Sequence, residues 1–454
     1  LNIQLFAMDL EPYQWRQTDA GVYERSMDGI ERLYWTVASA GNPLGREHWS
    51  LTTGVKLQPE TENLVSVVRQ GWIALRHAHP SLASHVENGK KVYKVATEDE
   101  LKSWLVETFV VVDSTATDLF PTLKPVRRTT LYLMPKCQEI VIKTPHDRTD
   151  ARGLLYLCNN LLQLIANPQT VHFGDEAQRL SPPLVVAVPL PKATPEQAAK
   201  AGQLLVNFGQ ALPSVGVPAV NTDQLPANTH RQELCFSKDT TFQIIAAAKR
   251  HNMTATHVVH AAVVVATSQL AKSNGSFSSY ALFDLRKHCQ PAFRYMPMSA
   301  YHSGLPYTVP AGSFLETAEQ LRHFYHQAKQ GQEVTDDFLA GIEPLIETML
   351  QVLAQPPLTP PSQPMFSSFG TLENILQGDQ CLLTKPLVLD WWFGQETLSP
   401  EPLVHFWTWQ DEMKISTCYN ETFHDANSIE MFLQTIKEVL LSGLEIRSMR
   451  STKS

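Results

Sequence analysis

The sequence predicts an α/β fold in two lobes of similar size. Three observations carry this. The chain has 454 residues, too many for one ordinary core at roughly 100–200 residues per domain. Strand-like and helix-like patterns alternate in both halves, the mark of sheets covered by helices. Near the middle, residues 209–231 hold Pro213, Gly216, Pro218 and Pro226 with weak periodicity, as a linker does. The expected division is therefore 1–208, a linker at 209–231, and 232–454.

Composition narrows the function classes. The chain is 43% apolar and 18% charged, with 37 basic and 45 acidic residues and a net charge of −8. That is a globular composition without the basic footprint of a nucleic-acid binder or a Lys/Arg run for a membrane surface. No apolar run approaches the roughly 18 residues of a spanning helix. The six cysteines are scattered without a C-x-x-C pair or metal-like spacing. They read as free thiols, which predicts a reducing, cytoplasmic setting and no metal. No secretory h-region is visible at the start, and with Leu1 in place of Met a trimmed leader stays open.

In order, the first fifty residues form an aromatic lead-in, with Tyr13, Trp15, Tyr23, Tyr34, Trp35 and Trp49. Apolar positions from Leu64 to Leu75 predict an amphipathic helix over 62–77, stopped by Pro80. Residues 90–95 alternate as a strand, and 99–108 read as a helix. Two strands around Pro135-Lys136 fill 129–143. A helix over 151–165 ends at Asn167-Pro168, and a loop-like stretch spans 166–190. Pro195 near the start and Glu196 in the first turn predict a helix over 194–208. The second half opens with a strand at 232–237 and two helices, to about His251 and over 257–271. His257 and His260 read as helix-packing histidines. A strand at 277–285 precedes helices over 314–330 and 337–353. After the Pro-rich break at 356–364, strands are expected at 387–393, 403–409 and 413–419, then a helix over 426–441.

The stretch with chemical promise is Thr144-Pro145-His146-Asp147-Arg148-Thr149-Asp150. It joins the strand ending at Lys143 to the helix starting at Ala151. A histidine on such a loop can face a cavity while packed elements hold it. Among sixteen histidines, His146 alone has Asp at the fourth following position. Taken alone, that spacing is a weak signal. Competing motifs are absent: no G-x-S-x-G elbow, no G-x-G-x-x-G after a strand, no P-loop and no H-E-x-x-H.

Several segments, in order, resemble one superfamily. They are Leu75-Arg76-His77-Ala78-His79-Pro80-Ser81-Leu82, the His146–Asp150 motif, Phe283-Asp284-Leu285-Arg286, Ser367-Ser368-Phe369-Gly370, and Tyr419-Asn420 before the last helix. The superfamily is that of CoA-dependent acyltransferases with an HxxxD motif, related to chloramphenicol acetyltransferase, plant BAHD enzymes and peptide-synthetase condensation domains. Within it, the aromatic lead-in and Leu389-Asp390-Trp391-Trp392-Phe393-Gly394-Gln395-Glu396 are most similar to fungal trichothecene 15-O-acetyltransferases. Departures are visible. Ala151 follows the Asp where many relatives have Gly. Pro145 stands where condensation domains carry a second His. The DFGWG segment of the plant enzymes is absent.

The resemblance implies two chloramphenicol-acetyltransferase-like lobes, each a sheet with packed helices, and an active-site channel between them. It implies acetyl-CoA as co-substrate, no metal, a small-molecule alcohol such as a trichothecene 15-hydroxyl as acceptor, and a monomer. His146 would be the general base. Asp150 would hold the motif loop rather than relay a proton, with Arg286 as its candidate partner; a surface or CoA-phosphate role for Arg286 stays open. Trp391 and Trp392 are candidates for the acceptor pocket, with plain packing as the alternative. A carrier-protein-dependent condensation enzyme and an inactive CoA- or metabolite-binding relative remain as other readings.

Overall fold

A computed structural model describes residues 9–58, 63–330, 333–354, 360–373 and 388–446. Leu1, the first residue of the helix expected over 62–77, positions 356–359 of the Pro-rich break, the first residue of the strand expected at 387–393, and one of the six cysteines, Cys381, lie outside the described residues.

Two sheets organise the chain. One has five strands in the order 388–395, 51–57, 139–144, 130–134, 109–111. Its apolar face receives the helices Leu64–Ala78 and Ala151–Ala166. Trp72, Leu75, Leu155 and Leu161 come from these helices and meet Leu131 and Ile142 of the sheet in one buried cluster. This is the helix-on-sheet layering that hides both apolar faces from water. The second sheet has four strands in the order 365–371, 403–409, 412–420, 229–236. It packs with Ala255–Ala271 and Ala426–Gly443, whose Val258, Ala262, Phe432 and Ile436 share a core with Phe406 and Ile415. A separate antiparallel pair, 277–284 with 302–309, completes this part.

One strand crosses between the halves of the sequence. Val388–Gln395 pairs antiparallel with Leu51–Leu57 over the register Trp391↔Val55 to Gln395↔Leu51. It thus forms the edge of the sheet built otherwise from residues before 145.

Most elements fall within a few residues of their expected places; the differences have local causes. The aromatic lead-in contains the helix Gly29–Ser39, started by a capping box in which Asp28 accepts from Glu31 N and Glu31 accepts from Asp28 N. Residues 166–190 include two short helical turns, Glu176–Arg179 and Leu184–Ala187. The strand at 302–309 has no counterpart in the sequence reading; it carries Gly304 and Pro306, residues that weaken a strand pattern. The helix from Phe314 stops at Gln327, because Lys329–Gln330 turns into a short ladder with Glu333–Val334. His260 is fully buried between the Tyr307 and Tyr325 hydroxyls, at 2.6 and 3.1 Å, as a packing histidine.

Candidate active site

The strand Glu139–Thr144 delivers Pro145 and His146 into the interior, and the helix Ala151–Ala166 carries the chain away. His146 is 6% exposed. Its Nδ1 lies 3.0 Å from the Thr149 carbonyl oxygen. A carbonyl can only accept, so Nδ1 carries the proton and Nε2 keeps its lone pair. The Tyr34 ring lies parallel to the imidazole, with centroids 3.6 Å apart and planes 6° from coplanar. The Tyr34 hydroxyl is 2.8 Å from His302 Nε2. Burial, and then the neighbouring His302, push the His146 pKa down to about 3. The imidazole is therefore neutral at physiological pH.

Asp150 is the N-cap of the following helix. Its Oδ1 accepts from Gly153 N at 2.7 Å. Its Oδ2 faces away from that cap and accepts from Arg286 Nη1 at 2.9 Å and Tyr301 N at 2.7 Å. Burial favours the neutral acid, but the Arg286 guanidinium and His302 prevail and hold the carboxyl down at about 2. Arg286 also reaches Asp284 Oδ1 at 3.1 Å. Gly153 is required here: a Cβ would sit 2.4 Å from the Pro297 carbonyl oxygen and 2.3 Å from Thr149 Oγ1.

The two residues after His146 are also buried and charged. Lys91 donates to the Asp147 backbone oxygen at 2.7 Å and pairs with its carboxylate. Arg148 Nε lies 2.9 Å from the same carboxylate, and its Nη1 reaches the Ser84 carbonyl. Behind Lys91, Arg25 grips Glu31 through two bonds of 2.7 Å. Nothing in the spacing of these residues signals the network.

A largely apolar cavity opens in front of His146. Tyr34, Trp49, Met349, Met365, Phe369 and Phe393 form much of its wall. Beyond His146, Asp150, Arg286 and His302, its polar wall includes Ser303, Ser367, Ser368, Gln395 and His405, with Arg152 and Asp284 as a pair 3.4 Å apart. Trp391 and Trp392 are not among its lining residues; both sit in packing, the alternative that the sequence left open beside the acceptor pocket. Trp391 is fully buried against Phe369, Phe393 and Trp407. Trp392 turns to the other face of its strand, onto Phe120 and beneath Arg231. The cavity-facing residues of that strand are Phe393 and Gln395. Tyr34, His302 and His405 were missed in sequence because no motif contains them. Among the described residues, no group of three or more His, Cys, Asp or Glu side chains is placed to hold a metal ion, and no helix is long and apolar enough to cross a membrane.

The fold, with its buried His-x-x-x-Asp loop, is that of solved two-lobed acetyltransferase and condensation-domain structures. More particularly, the chain is 27% identical to the O-acetyltransferase pigM of Monascus ruber, over 95% of this chain and 87% of that protein. It is 26% identical to the acetyltransferase pigO of the same organism, over 96% of this chain and 99% of that one. Among solved structures, the trichothecene 15-O-acetyltransferase TRI3 of Fusarium sporotrichioides superposes with a TM-score of 0.81 at 17% identity, covering 96% of this chain and 99% of that chain. No family model matches the chain.

Proposed function

We propose that the chain is an acetyl-CoA-dependent O-acetyltransferase of fungal secondary metabolism, with His146 as general base and an apolar alcohol as acceptor. The observation that carries this is the tautomer of His146. Its proton is committed to Thr149 O, which leaves Nε2 as a base beside an apolar cavity that also has His146 in its wall. Near-full-length likeness to O-acetyltransferases supports the reaction class.

In this reading His146 Nε2 takes the acceptor's hydroxyl proton as the oxygen bonds to the thioester carbonyl carbon. An alcohol is far too weak an acid to ionise first, so transfer accompanies attack. When the tetrahedral adduct collapses and the carbon–sulfur bond breaks, the Nε2 proton passes to the sulfur of departing CoA. Asp150 and Arg286 touch no reacting atom; they hold the loop. The apolar walls favour a neutral, compact acceptor and exclude water that would otherwise hydrolyse the thioester. The trichothecene 15-hydroxyl is the specific acceptor we propose, and the likeness to TRI3 supports the choice. The same reading makes the protein a cytoplasmic monomer.

The test is mass spectrometry of products from acetyl-CoA and a trichothecene with a free 15-hydroxyl, with CoA release followed alongside. Acetylated product is expected. CoA binding without turnover across a panel of alcohols would point to an inactive relative, and activity only with a loaded carrier protein to a condensation enzyme. His146→Ala should lower kcat by about 10²–10⁴-fold with unchanged melting. Near-wild-type transfer by that variant would end the general-base assignment.

A further inference from the structure

His405 stands on the strand Leu403–Trp409 and Gln395 on Val388–Gln395, so the two elements bring their side chains together in the cavity wall. His405 is 2% exposed. Its Nε2 lies 3.3 Å from Gln395 Oε1, while its Nδ1 is buried with no hydrogen-bond partner among the described residues. The ring is caged by aromatics: Phe369 stacks on it at 5.7 Å, and Phe393 meets it edge-on at 4.8 Å. Nothing in that cage can bond to nitrogen. A buried polar atom left unpaired is costly, and native interiors rarely leave one so.

We propose that His405 and Gln395 form a hydrogen-bonding subsite that reads a second hydroxyl of the acceptor, away from the one acylated at His146. The inference rests on the acyltransferase reading above and adds a specificity element to it. The ligand chemistry follows from the tautomer. With Gln395 Oε1 accepting from Nε2–H, Nδ1 is a lone pair that needs a donor. With the amide turned over, Nε2 accepts from the amide nitrogen and Nδ1–H needs an acceptor. A hydroxyl is the neutral group that satisfies either arrangement. An anion is not called for, because burial and the nearby Arg231 keep the imidazole uncharged, with its pKa down at about 3.

The experiment compares the wild type with His405→Phe, which fits the aromatic cage, and His405→Asn, which restores an amide. Probes are matched pairs of trichothecenes and of other terpenoid alcohols, one member carrying an additional free hydroxyl. Binding is read by calorimetry, which needs no turnover, and acetyl transfer is followed separately by CoA release. Failure of the transferase reading therefore shows in the second measurement and leaves the first intact. The wild type should prefer the diol of at least one pair by about tenfold, the worth of one buried hydrogen bond. His405→Phe should lose the preference and bind the two members of each pair alike, and His405→Asn should recover part of it. Equal binding of both members by the wild type, binding of neither, or the same preference in His405→Phe would overturn the proposal. So would a loss confined to acetyl-CoA affinity, since the subsite would then serve the donor.

Discussion

Asp147 and Asp150 lie three positions apart in one loop, both buried and both facing cations, yet they tie that loop to different parts of the molecule. Asp150 reaches forward: Arg286 and the Tyr301 amide come from beyond residue 280. Asp147 reaches back, to Lys91 and, behind it, Glu31 and Arg25. His146 sits just ahead of both. Its direction is fixed from two sides, so misalignment of either half of the chain would be felt at Nε2. The loop is thus a point where the two halves are registered against each other, not only a carrier of one base.

The largest expected effect breaks the backward tie. In Asp147→Asn, Lys91 and Arg25 would share the one full carboxylate of Glu31, and Arg148 would keep only the Ser84 and Arg127 carbonyls. Removing one partner of a buried ion pair costs about 3–5 kcal/mol, and chemical denaturation should show a loss of that order. Lys91→Met in the same chain should return part of it, because the stranded charge goes too; a double-mutant cycle measures the coupling. A wild-type midpoint for Asp147→Asn would show the network to be idle. The forward tie should cost less. Asp150→Asn keeps an oxygen for the helix cap, and Arg286 keeps Asp284 at 3.1 Å, so about 2 kcal/mol is expected. Activity should suffer more than stability, since a misplaced base loses on the order of 10²-fold in kcat. Full activity with unchanged melting would remove the structural role of Asp150.

The pH dependence of stability tests the forward tie on its own. The Asp150 carboxyl is lowered to about 2 from an ordinary 3.8. A lowered carboxyl stabilises the fold above its unfolded value, and that stabilisation is lost as pH falls through the folded value. The wild type should therefore lose stability between about pH 4 and pH 2, and Asp150→Asn should flatten that limb. Identical acid limbs in the two proteins would place the loss elsewhere.

The forward tie was open to sequence reasoning and the backward tie was not. His146, Asp150 and Arg286 sit in short segments whose order carries meaning, so a contact across 136 positions could be anticipated. Lys91 and Glu31 belong to ordinary strand and helix patterns, where a charge reads as solvated surface; only the sheet packing buries them. The same limit explains the tryptophans. Alternation along a strand tells which residues share a face, but not which length of that face a cavity reaches, and here the cavity meets Phe393 and Gln395. The strand at 302–309, which supplies His302, was hidden by Gly304 and Pro306. The elements with strong periodicity, such as 151–166 and 426–443, were read to within two residues.

The smallest expected effect concerns Tyr34, which neither tie includes. Its ring covers one face of His146 and its hydroxyl bonds to His302, so two substitutions separate two roles. Tyr34→Phe keeps the ring and loses the bond; kcat should stay within about twofold of wild type, because orientation of the imidazole survives. Tyr34→Leu uncovers the face. The kcat should fall by about tenfold with the KM for acetyl-CoA unchanged, as for a group that positions the base and does not contact the donor. The pH profile tells this from a general loosening. The wild-type base has its pKa lowered to about 3 by burial first, so it stays deprotonated, and kcat flat, down to about pH 5. Water admitted by Tyr34→Leu relieves that burial and lets the pKa rise toward its ordinary value near 6.5. The acid limb should then move up in pH for Tyr34→Leu and stay in place for Tyr34→Phe. A limb unmoved in both would mean that the Thr149 carbonyl holds the imidazole unaided.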